Sequence, residues 1–300
     1  MSTFKELVDS TILFLSGYSA SQDISSHLTA DLSASGTNLQ VADLSVLSRG
    51  IAEVENELVW VDSVGSSSAT IAGLAGSPYG RGFRGTSAVA HTAGARVTMA
   101  PTFPRAAVMR AINESINAVF PSLYGVKETT LTFKAAQSAY ALPAGAQKVL
   151  AASWQSVGPS KEWLPVRRWR VDQAANGTAF ANGISLSLYD PIVPGRTVQV
   201  QYTCAPTPLA NDSDDFSTVT GLQPSAEDVI RLGAAYRLVP FIDAAHVTGS
   251  SAEADFADQS RPNGSATALG RFFFQLYQQR LADEVQTLSN LFPIRSHYSL

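Results

Sequence analysis

Four segments with helical periodicity lie far apart in this chain, and β-rich stretches separate them. Apolar residues recur at three- and four-residue steps over about residues 3–15, 104–120, 225–247 and 266–291. Each amphipathic segment needs a partner to cover its apolar face, and the segments can cover one another if they gather into one bundle. We therefore predict an α+β fold, a discontinuous helical bundle with two inserted antiparallel β modules.

The stretches between the helical segments are typical of short strands joined by tight turns. Pro-Ala-Gly at 143–145, Pro-Gly at 194–195 and Asn-Gly at 176–177 and 182–183 are turn signals, and the Asn-Gly pairs favour hairpins. Strand-like runs occupy residues 39–47, 58–61, 69–72 and 95–99 in the first module, and 129–133, 147–154, 163–169, 184–189 and 196–202 in the second.

These patterns divide the chain into six predicted parts. They are a bundle helix at 1–22, a first β module at 23–102, a bundle helix at 103–126, a sandwich-like second β module at 127–208, C-terminal bundle helices with loops at 209–292, and a docking tail at 293–300. Pro240 is expected to kink or break the third helix. The polar stretches 206–223 and 248–264 are predicted to be exposed loops or arms.

Composition favours a chain that meets other protein over much of its surface. Charged residues make up 15% of the 300 residues, below the roughly 25% typical of soluble domains.

A net charge of −4 excludes nucleic-acid binding by bulk positive potential, so any DNA contact needs a local patch or an assembled lumen. The single cysteine, Cys204, excludes an intramolecular disulfide and fits folding in a reducing cytoplasm. The apolar run at 12–15 is too short for a signal peptide or a membrane span, so neither is expected.

The residues needed for catalysis or for a cofactor do not cluster in the sequence. The four histidines are scattered without metal-ligand spacing, and no serine lies in a Gly-x-Ser-x-Gly motif. Gly80, Gly82 and Gly85 match Gly-x-Gly-x-x-Gly, but no buried strand precedes them and no helix follows for a pyrophosphate. We therefore expect no enzyme activity, no metal and no cofactor.

The most specific local pattern is GRGFRGTSAVAHTAGARV at residues 80–97, preceded by ENELVWVDSV at 55–64. Its glycines permit positive φ angles or close backbone approach, and Thr86 can cap a short turn. Arg81, Arg84, Arg96 and His91 can hydrogen-bond loop carbonyls or the upstream Glu55 and Glu57. We interpret the pattern as a rigid, hydrogen-bonded turn.

The same pattern resembles a module of tailed-phage neck and tail proteins. The matching residues are Glu57, Leu58, Val61, Arg84, Gly85, Thr86, His91, Gly94 and Val97, with the Arg-Gly pair doubled at Arg81-Gly82. Residues 103–126 are similar to the helix that follows this module in connector proteins of actinobacterial siphophages. The resemblance covers about residues 50–126 and indicates a head-to-tail connector, or adaptor, of the phage neck.

This resemblance implies a structural virion protein, located at the head–tail junction and synthesised in the host cytoplasm. Adaptor subunits of that family form a dodecameric ring between the portal protein and a downstream neck or tail-completion protein, and double-stranded DNA passes through the ring. The helices at 104–120, 225–247 and 266–291 would build the ring, and the C-terminal tail would dock on the portal. That tail consists of Pro293, Ile294, Arg295, Ser296, His297, Tyr298, Ser299 and Leu300.

Arg167, Arg168 and Arg170 form the densest basic cluster and are candidates for a subunit contact or sequence-independent contact with DNA. On a continuous strand, Arg168 and Arg170 would share one face, and Arg167 and Trp169 the other. A salt-bridged edge strand would explain the same cluster without either function.

Two other functions stay open at this point. A tail or baseplate protein could use Trp154, Trp163 and Trp169 as aromatic platforms for a receptor or carbohydrate. A hydrolytic virion enzyme would need a carboxylate pair or metal site that the sequence does not reveal.

Overall fold

The computed structural model describes residues 2–18, 23–73, 79–158, 161–180, 182–244 and 265–293, and for 240–244 and 265–267 it describes the backbone alone. This part of the chain contains five α-helices and three antiparallel sheets, which confirms the mixed α+β class. The helices are α1 (Phe4–Ser16), α2 (Arg105–Ala118), α3 (Phe216–Thr220), α4 (Glu227–Ala244) and α5 (Ser265–Leu291).

The strands fall into two groups along the chain. Those before α2 are β1 (Ser25–His27), β2 (Asn38–Leu39), β3 (Gly50–Val54), β4 (Glu57–Val64), β5 (Ala69–Ile71) and β6 (Arg96–Met99). Those after α2 are β7 (Gly125–Thr132), β8 (Ala139–Ala141), β9 (Ala146–Gln155), β10 (Trp163–Pro165), β11 (Trp169–Asp172), β12 (Ser185–Leu188) and β13 (Thr197–Cys204).

The first group forms one six-stranded half-barrel in the order β1-β6-β3-β4-β5-β2. Its two outer strands also meet, because Leu28 and Val41 form a β-bridge just beyond β1 and β2, and the Thr29 N–H donates to the Gln40 carbonyl. Alternate side chains point inward and build an apolar core. That core includes Leu28, Leu32, Leu39, Val41, Leu47, Ala52, Val54, Val59, Val61, Ala69, Ile71, Ala95 and Val97.

The second group forms two sheets with a common core. The order is β10-β9-β13-β7 in the four-stranded sheet and β11-β12-β8 in the three-stranded sheet. Residues from both sheets enter the same cluster, including Val198 and Val200 of β13 and Leu186 and Leu188 of β12. Two sheets that cover each other's apolar faces make a sandwich.

The described residues divide into two compact units, each made of separate pieces of chain. One unit lies within 1–4, 115–230 and 277–300, and the other lies within 5–114 and 231–276. The first contains the two-sheet sandwich, and the second contains the half-barrel. The six predicted parts were drawn along the sequence and stay a prediction.

Aromatic contacts hold helical segments together in the unit that contains the half-barrel. The Phe14 ring of α1 lies 5.3 Å from the Phe273 ring of α5, measured between centroids, and Tyr18 lies 5.0 Å from Phe273. Tyr236 of α4 packs at 5.4 Å against Phe274. Helices predicted far apart in sequence therefore do contact one another here, whereas the bundle as an arrangement of all of them stays a prediction.

Backbone contacts tie the start of the chain to a late segment in the sandwich-containing unit. The Phe4 N–H donates to the Asp214 carbonyl at 2.8 Å, and the Phe216 N–H donates to the Ser2 carbonyl at 3.0 Å. The Ser2 hydroxyl donates to the Glu227 carboxylate. Asp215 caps α3 by accepting from the Thr218 N–H.

The four long helices begin and end within about two residues of their predicted bounds where the chain is described, but several finer predictions were wrong. Helix α4 is not broken at Pro240 but continues to Ala244, and the expected kink at Pro240 stays a prediction. The run at 39–47 leaves β2 after Leu39 and contains a 3-10 helix at Leu44–Val46, since Asp43 caps a short helix there.

Further differences concern the second half of the chain. The run at 163–169 divides between β10 and β11, which belong to different sheets. Both Asn-Gly pairs lie in the single connection between β11 and β12. The stretch 206–223 is no exposed loop, because it contains α3 and buries Phe216 and Leu222. The stretch 248–264 lies outside the described residues.

Candidate functional site

The 80–97 segment is built around the carboxylate of Glu57, which is 1% exposed at the start of β4. One oxygen, Oε1, accepts from Arg81 Nε at 2.7 Å and from the Gly82 N–H at 2.8 Å. The other, Oε2, accepts from the second Arg81 nitrogen at 2.8 Å, the Val89 N–H at 3.2 Å and His91 Nε2 at 2.9 Å. We refer to Glu55, Glu57, Arg81 and His91 as the Glu57 cluster.

Arg81 extends the Glu57 cluster to a further loop. Its guanidinium donates to the carbonyls of Ser33, Gly36 and Val89, the Gly36 bond measuring 3.0 Å. A guanidinium offers five N–H donors in a fixed plane, so this one side chain joins the loop after β1, the start of β4 and the 80–97 segment. The predicted role of Arg81 in binding loop carbonyls and Glu57 is confirmed.

His91 lies between two carboxylates. Its Nδ1 is 2.8 Å from a Glu55 oxygen and its Nε2 is 2.9 Å from a Glu57 oxygen. The ring of His91 therefore joins the Glu55 and Glu57 carboxylates. The pKa of the Glu57 carboxyl lies below its ordinary value: burial raises it, but the bonds from Arg81, His91, Gly82 and Val89 outweigh burial.

Two glycines of this segment lie where a side chain would collide with the backbone. Gly82 has φ +63°, and a Cβ there would come within 2.8 Å of the Thr86 carbonyl oxygen. At Gly80, with φ +129°, a Cβ would come within 1.9 Å of the Ala72 carbonyl oxygen. Thr86 closes the turn as predicted, since its hydroxyl accepts from the Leu58 N–H at 3.0 Å and donates to the Phe83 carbonyl at 2.9 Å.

A second buried carboxylate, Glu53 on β3, lies at the N-terminus of α2 and was not found by sequence reasoning. It accepts a hydrogen bond from the Arg105 N–H, while the Arg105 side chain contacts Asn56 and Asp9. Burial raises the pKa of Glu53 to about 7, and the Arg105 bond and charge offset only part of that rise. A single glutamate on a strand gives no sequence signal of such a role.

The buried side chains of Glu57, Arg81 and His91 bind one another and backbone groups, so they hold the 80–97 segment in position. A family model described as SU10 adaptor protein matches residues 86–291, more than half of the chain. The chain belongs to the SU10 adaptor protein family. No curated protein matches the chain significantly.

The SU10 adaptor family consists of structural adaptor proteins of the phage neck and is not catalytic. The match begins at Thr86, inside the 80–97 segment, and ends at Leu291, the last residue of α5. In the described part of this family member, no group of three or more His, Cys, Asp or Glu side chains could hold a metal ion. Over the same residues, no helix has the length and apolar character needed to cross a membrane.

The three arginines of the predicted cluster do not lie together on one strand of this adaptor-family chain. Strand β11 begins at Trp169, so Arg167 and Arg168 precede it and the strand alternation applies only from Trp169 to Arg170. The Arg167 N–H and the Arg168 side chain both donate to the carboxylate of Asp190, the latter at 3.2 Å. Burial raises the pKa of Asp190, but these bonds outweigh it and hold that pKa below its ordinary value.

The predicted docking tail begins at Pro293, which is exposed, and residues 294–300 lie outside the described residues. The predicted aromatic platform is not formed by its three tryptophans together. Trp154 and Trp169 pack against the core of the sandwich, whereas Trp163 is 45% exposed on β10 beside Leu164, which is 37% exposed.

Proposed function

We propose that this chain is a head-to-tail adaptor whose copies form a ring between the portal protein and the rest of the phage neck, with DNA passing through the ring. The observation that carries the proposal is the match to the SU10 adaptor family from Thr86 to Leu291, which includes the sandwich, α3, α4 and α5. Ring formation, contact with the portal and location in the neck go beyond that match and are our proposal.

The composition of the exposed side of α5 supports the proposal that other protein covers this helix. Among its exposed residues between 268 and 291, only Arg271 and Asp283 are charged, and Phe272, Phe274 and Leu291 are exposed apolar side chains. The cores of protein interfaces are depleted in charged residues and enriched in aromatic ones. A helix of 27 residues with so few exposed charges fits a subunit contact better than a solvent-facing surface.

Purified chain and purified portal test the ring directly. We expect the chain alone to remain monomeric and to join a ring when portal is added, as measured by native mass spectrometry and electron microscopy of the mixture. A stable trimer without portal would instead support a receptor-binding tail protein. Absence of any ring on portal would contradict the proposal.

The C-terminal tail is proposed as the portal-docking segment because it follows α5 directly and is partly apolar. Deletion of residues 293–300 should abolish portal binding. A chain with a Gly/Ser sequence of equal length in place of the tail is the matched control for chain length, and it should fail as the deletion does; normal binding by either variant would refute the docking role.

The arginine cluster is proposed to contact DNA in passing, without reading its sequence. Lys and Arg bind phosphate through charge, so such binding weakens as salt rises. Because the Asp190 carboxylate pairs with the Arg168 guanidinium, the charge of the cluster is partly neutralised, which suits a channel that DNA must traverse. Replacing Arg167, Arg168 and Arg170 by Ser should reduce retention of DNA in low salt, with Arg49→Ser, an exposed arginine just before β3, as a control.

A further inference from the structure

The four-stranded sheet of the sandwich has two open edges in the described residues, whereas the half-barrel's outer strands are bridged and the β11 edge of the three-stranded sheet is charged. In the described residues, β10 pairs only with β9, and β7 pairs only with β13. The outer strands of the half-barrel are bridged to each other at Leu28 and Val41. In the three-stranded sheet, β11 exposes Arg170 and Asp172, and charges at an edge hinder the addition of another strand.

Strand β10 carries no such charge, although it is short and ends in Pro165, which has no N–H to offer at the edge. All three of its residues are exposed, none is charged, and Trp163 and Leu164 are large apolar side chains. An uncharged apolar edge is a template for pairing with another strand. Strand β7, at the opposite edge, has eight residues and is uncharged from Thr129 to Thr132.

The apolar layer of the sheet ends in a leucine at each edge. Val198 of β13 is buried in the core and lies opposite both Leu131 of β7 and Trp154 of β9, and Trp154 in turn lies opposite Leu164 of β10. Directly opposed residues point to the same face of a sheet. Leu131 and Leu164 are therefore on the core side of the sheet, and both are only partly covered.

Strand direction determines how the two edges can meet. The four strands are antiparallel throughout, so β10 and β7 run in opposite directions. Neighbouring copies in a ring of many subunits differ by a small rotation, which nearly preserves strand direction. The β10 edge of one copy and the β7 edge of the next would therefore pair antiparallel, in a heterologous contact of the kind that closes rings.

We infer that neighbouring copies of this chain join their four-stranded sheets edge to edge, β10 of one copy pairing antiparallel with β7 of the next. Because paired residues share a face, Leu164 lies opposite Leu131 of the neighbour, which makes the apolar layer continuous across the joint. In that register Pro165 lies opposite Thr130, and Trp163 lies opposite Thr132. This inference rests on the proposed ring.

Disulfide trapping on portal-assembled rings tests the joint. Directly opposed residues of antiparallel strands have Cα atoms about 4.5–5.5 Å apart, within the range of a disulfide. The double variant Thr130→Cys, Pro165→Cys should give a ladder of linked multimers on a non-reducing gel. The pair Lys127→Cys, Pro165→Cys is displaced by three residues, about 10 Å along the strand, and should not link.

Single variants and the native thiol complete the controls. Thr130→Cys alone should give no dimer, because a dimer would mean that two β7 edges meet each other and would overturn the inference. Cys204 is buried, so the unaltered chain should not link. Linkage of the displaced pair in place of the opposed pair would also overturn the proposed register.

A lysine substitution gives a second measurement. Leu164→Lys places a charge on the open edge and should raise the concentration needed for ring assembly about tenfold or more. Val157→Lys is the matched control, since Val157 is 60% exposed in the turn of the same hairpin, and it should assemble normally. If rings form but neither the opposed cysteines nor Leu164→Lys has an effect, the edge joint is refuted while the adaptor function stands; if the unaltered chain forms no ring, the proposed function fails first.

Discussion

Replacing Glu57 by Gln should open the 80–97 segment, because the substitution removes one carboxylate that receives five hydrogen bonds. A Gln side chain has one acceptor oxygen and one NH2 group. If the NH2 replaces Oε1, the donors from Arg81 Nε and Gly82 lose their acceptor; if it replaces Oε2, three donors lose theirs. Either way the buried Arg81 loses the carboxylate that balances its charge, and His91 loses a carboxylate partner.

Breaking a buried ion pair by removing one partner costs about 3–5 kcal/mol. Such a change in the free energy of local opening corresponds to an increase in amide exchange of about 100-fold or more. Hydrogen–deuterium exchange followed by mass spectrometry measures it in peptides that contain Gly82, Val89 and His91. Peptides from the sandwich strands β9 and β13 serve as the internal reference.

Glu55→Gln is the matched control for this prediction. Glu55 is 54% exposed and its recorded bond is the one to His91 Nδ1, which a Gln oxygen can still accept. Exposed pairs contribute about 0–1 kcal/mol, so exchange should rise by less than about tenfold. Equal exchange in the Glu57 and Glu55 variants would refute the conclusion that Glu57 organises the segment.

Other substitutions test separate parts of the chain. For Glu53, the folded state keeps a proton that the unfolded state has lost between pH 4.5 and about 7, so stability falls as pH rises through that window, by roughly 3 kcal/mol in total. Urea unfolding of Glu53→Gln at pH 5 and pH 8 should lack this decline. Phe216→Ala, at a fully buried site, should cost about 3–5 kcal/mol in the same assay, and a cost under about 1 kcal/mol would contradict its core position. Asp190→Asn should strengthen DNA retention in low salt, because the Arg168 guanidinium loses a neutralising carboxylate, and weaker retention would argue against DNA contact there.

The sequence allowed the long helices to be predicted because each repeats its apolar period over several turns. The hydrogen bonding of the 80–97 segment was also predictable, because its glycines indicate turns and because Glu55 and Glu57 lie upstream as candidate partners of Arg81 and His91. Strands of two or three residues, such as β2 and β8, carry too little periodicity to be recognised. The strand order of the half-barrel depends on pairings between distant segments, and no local pattern encodes those.

The arrangement of the arginine cluster and the role of Glu53 were not predicted, because they too depend on packing between separate parts of the chain. Arg168 and Arg170 were assigned one strand face because residues 163–169 look like one continuous strand, but the chain leaves one sheet after Pro165 and enters the other at Trp169. The role of Glu53 depends on the N-terminus of α2 lying beside β3, which is a fact of tertiary packing. Sequence patterns therefore predicted the structure formed by residues close together in the chain, and missed the contacts that only tertiary packing creates.

The hydrogen bonds that join Ser2 and Phe4 to residues 214–216 have a consequence for synthesis on the ribosome. All strands of the half-barrel lie within residues 25–99, so its ladder is available once the first third of the chain has emerged. The contacts of Ser2 and Phe4 must wait until residues 214–216 have been made, about 115 residues later, roughly 6–23 s at ordinary translation rates. During that interval Phe4, which is buried in the finished protein, lacks its hydrogen bond to Asp214, and a chaperone that shields its side chain would raise the yield of assembled protein.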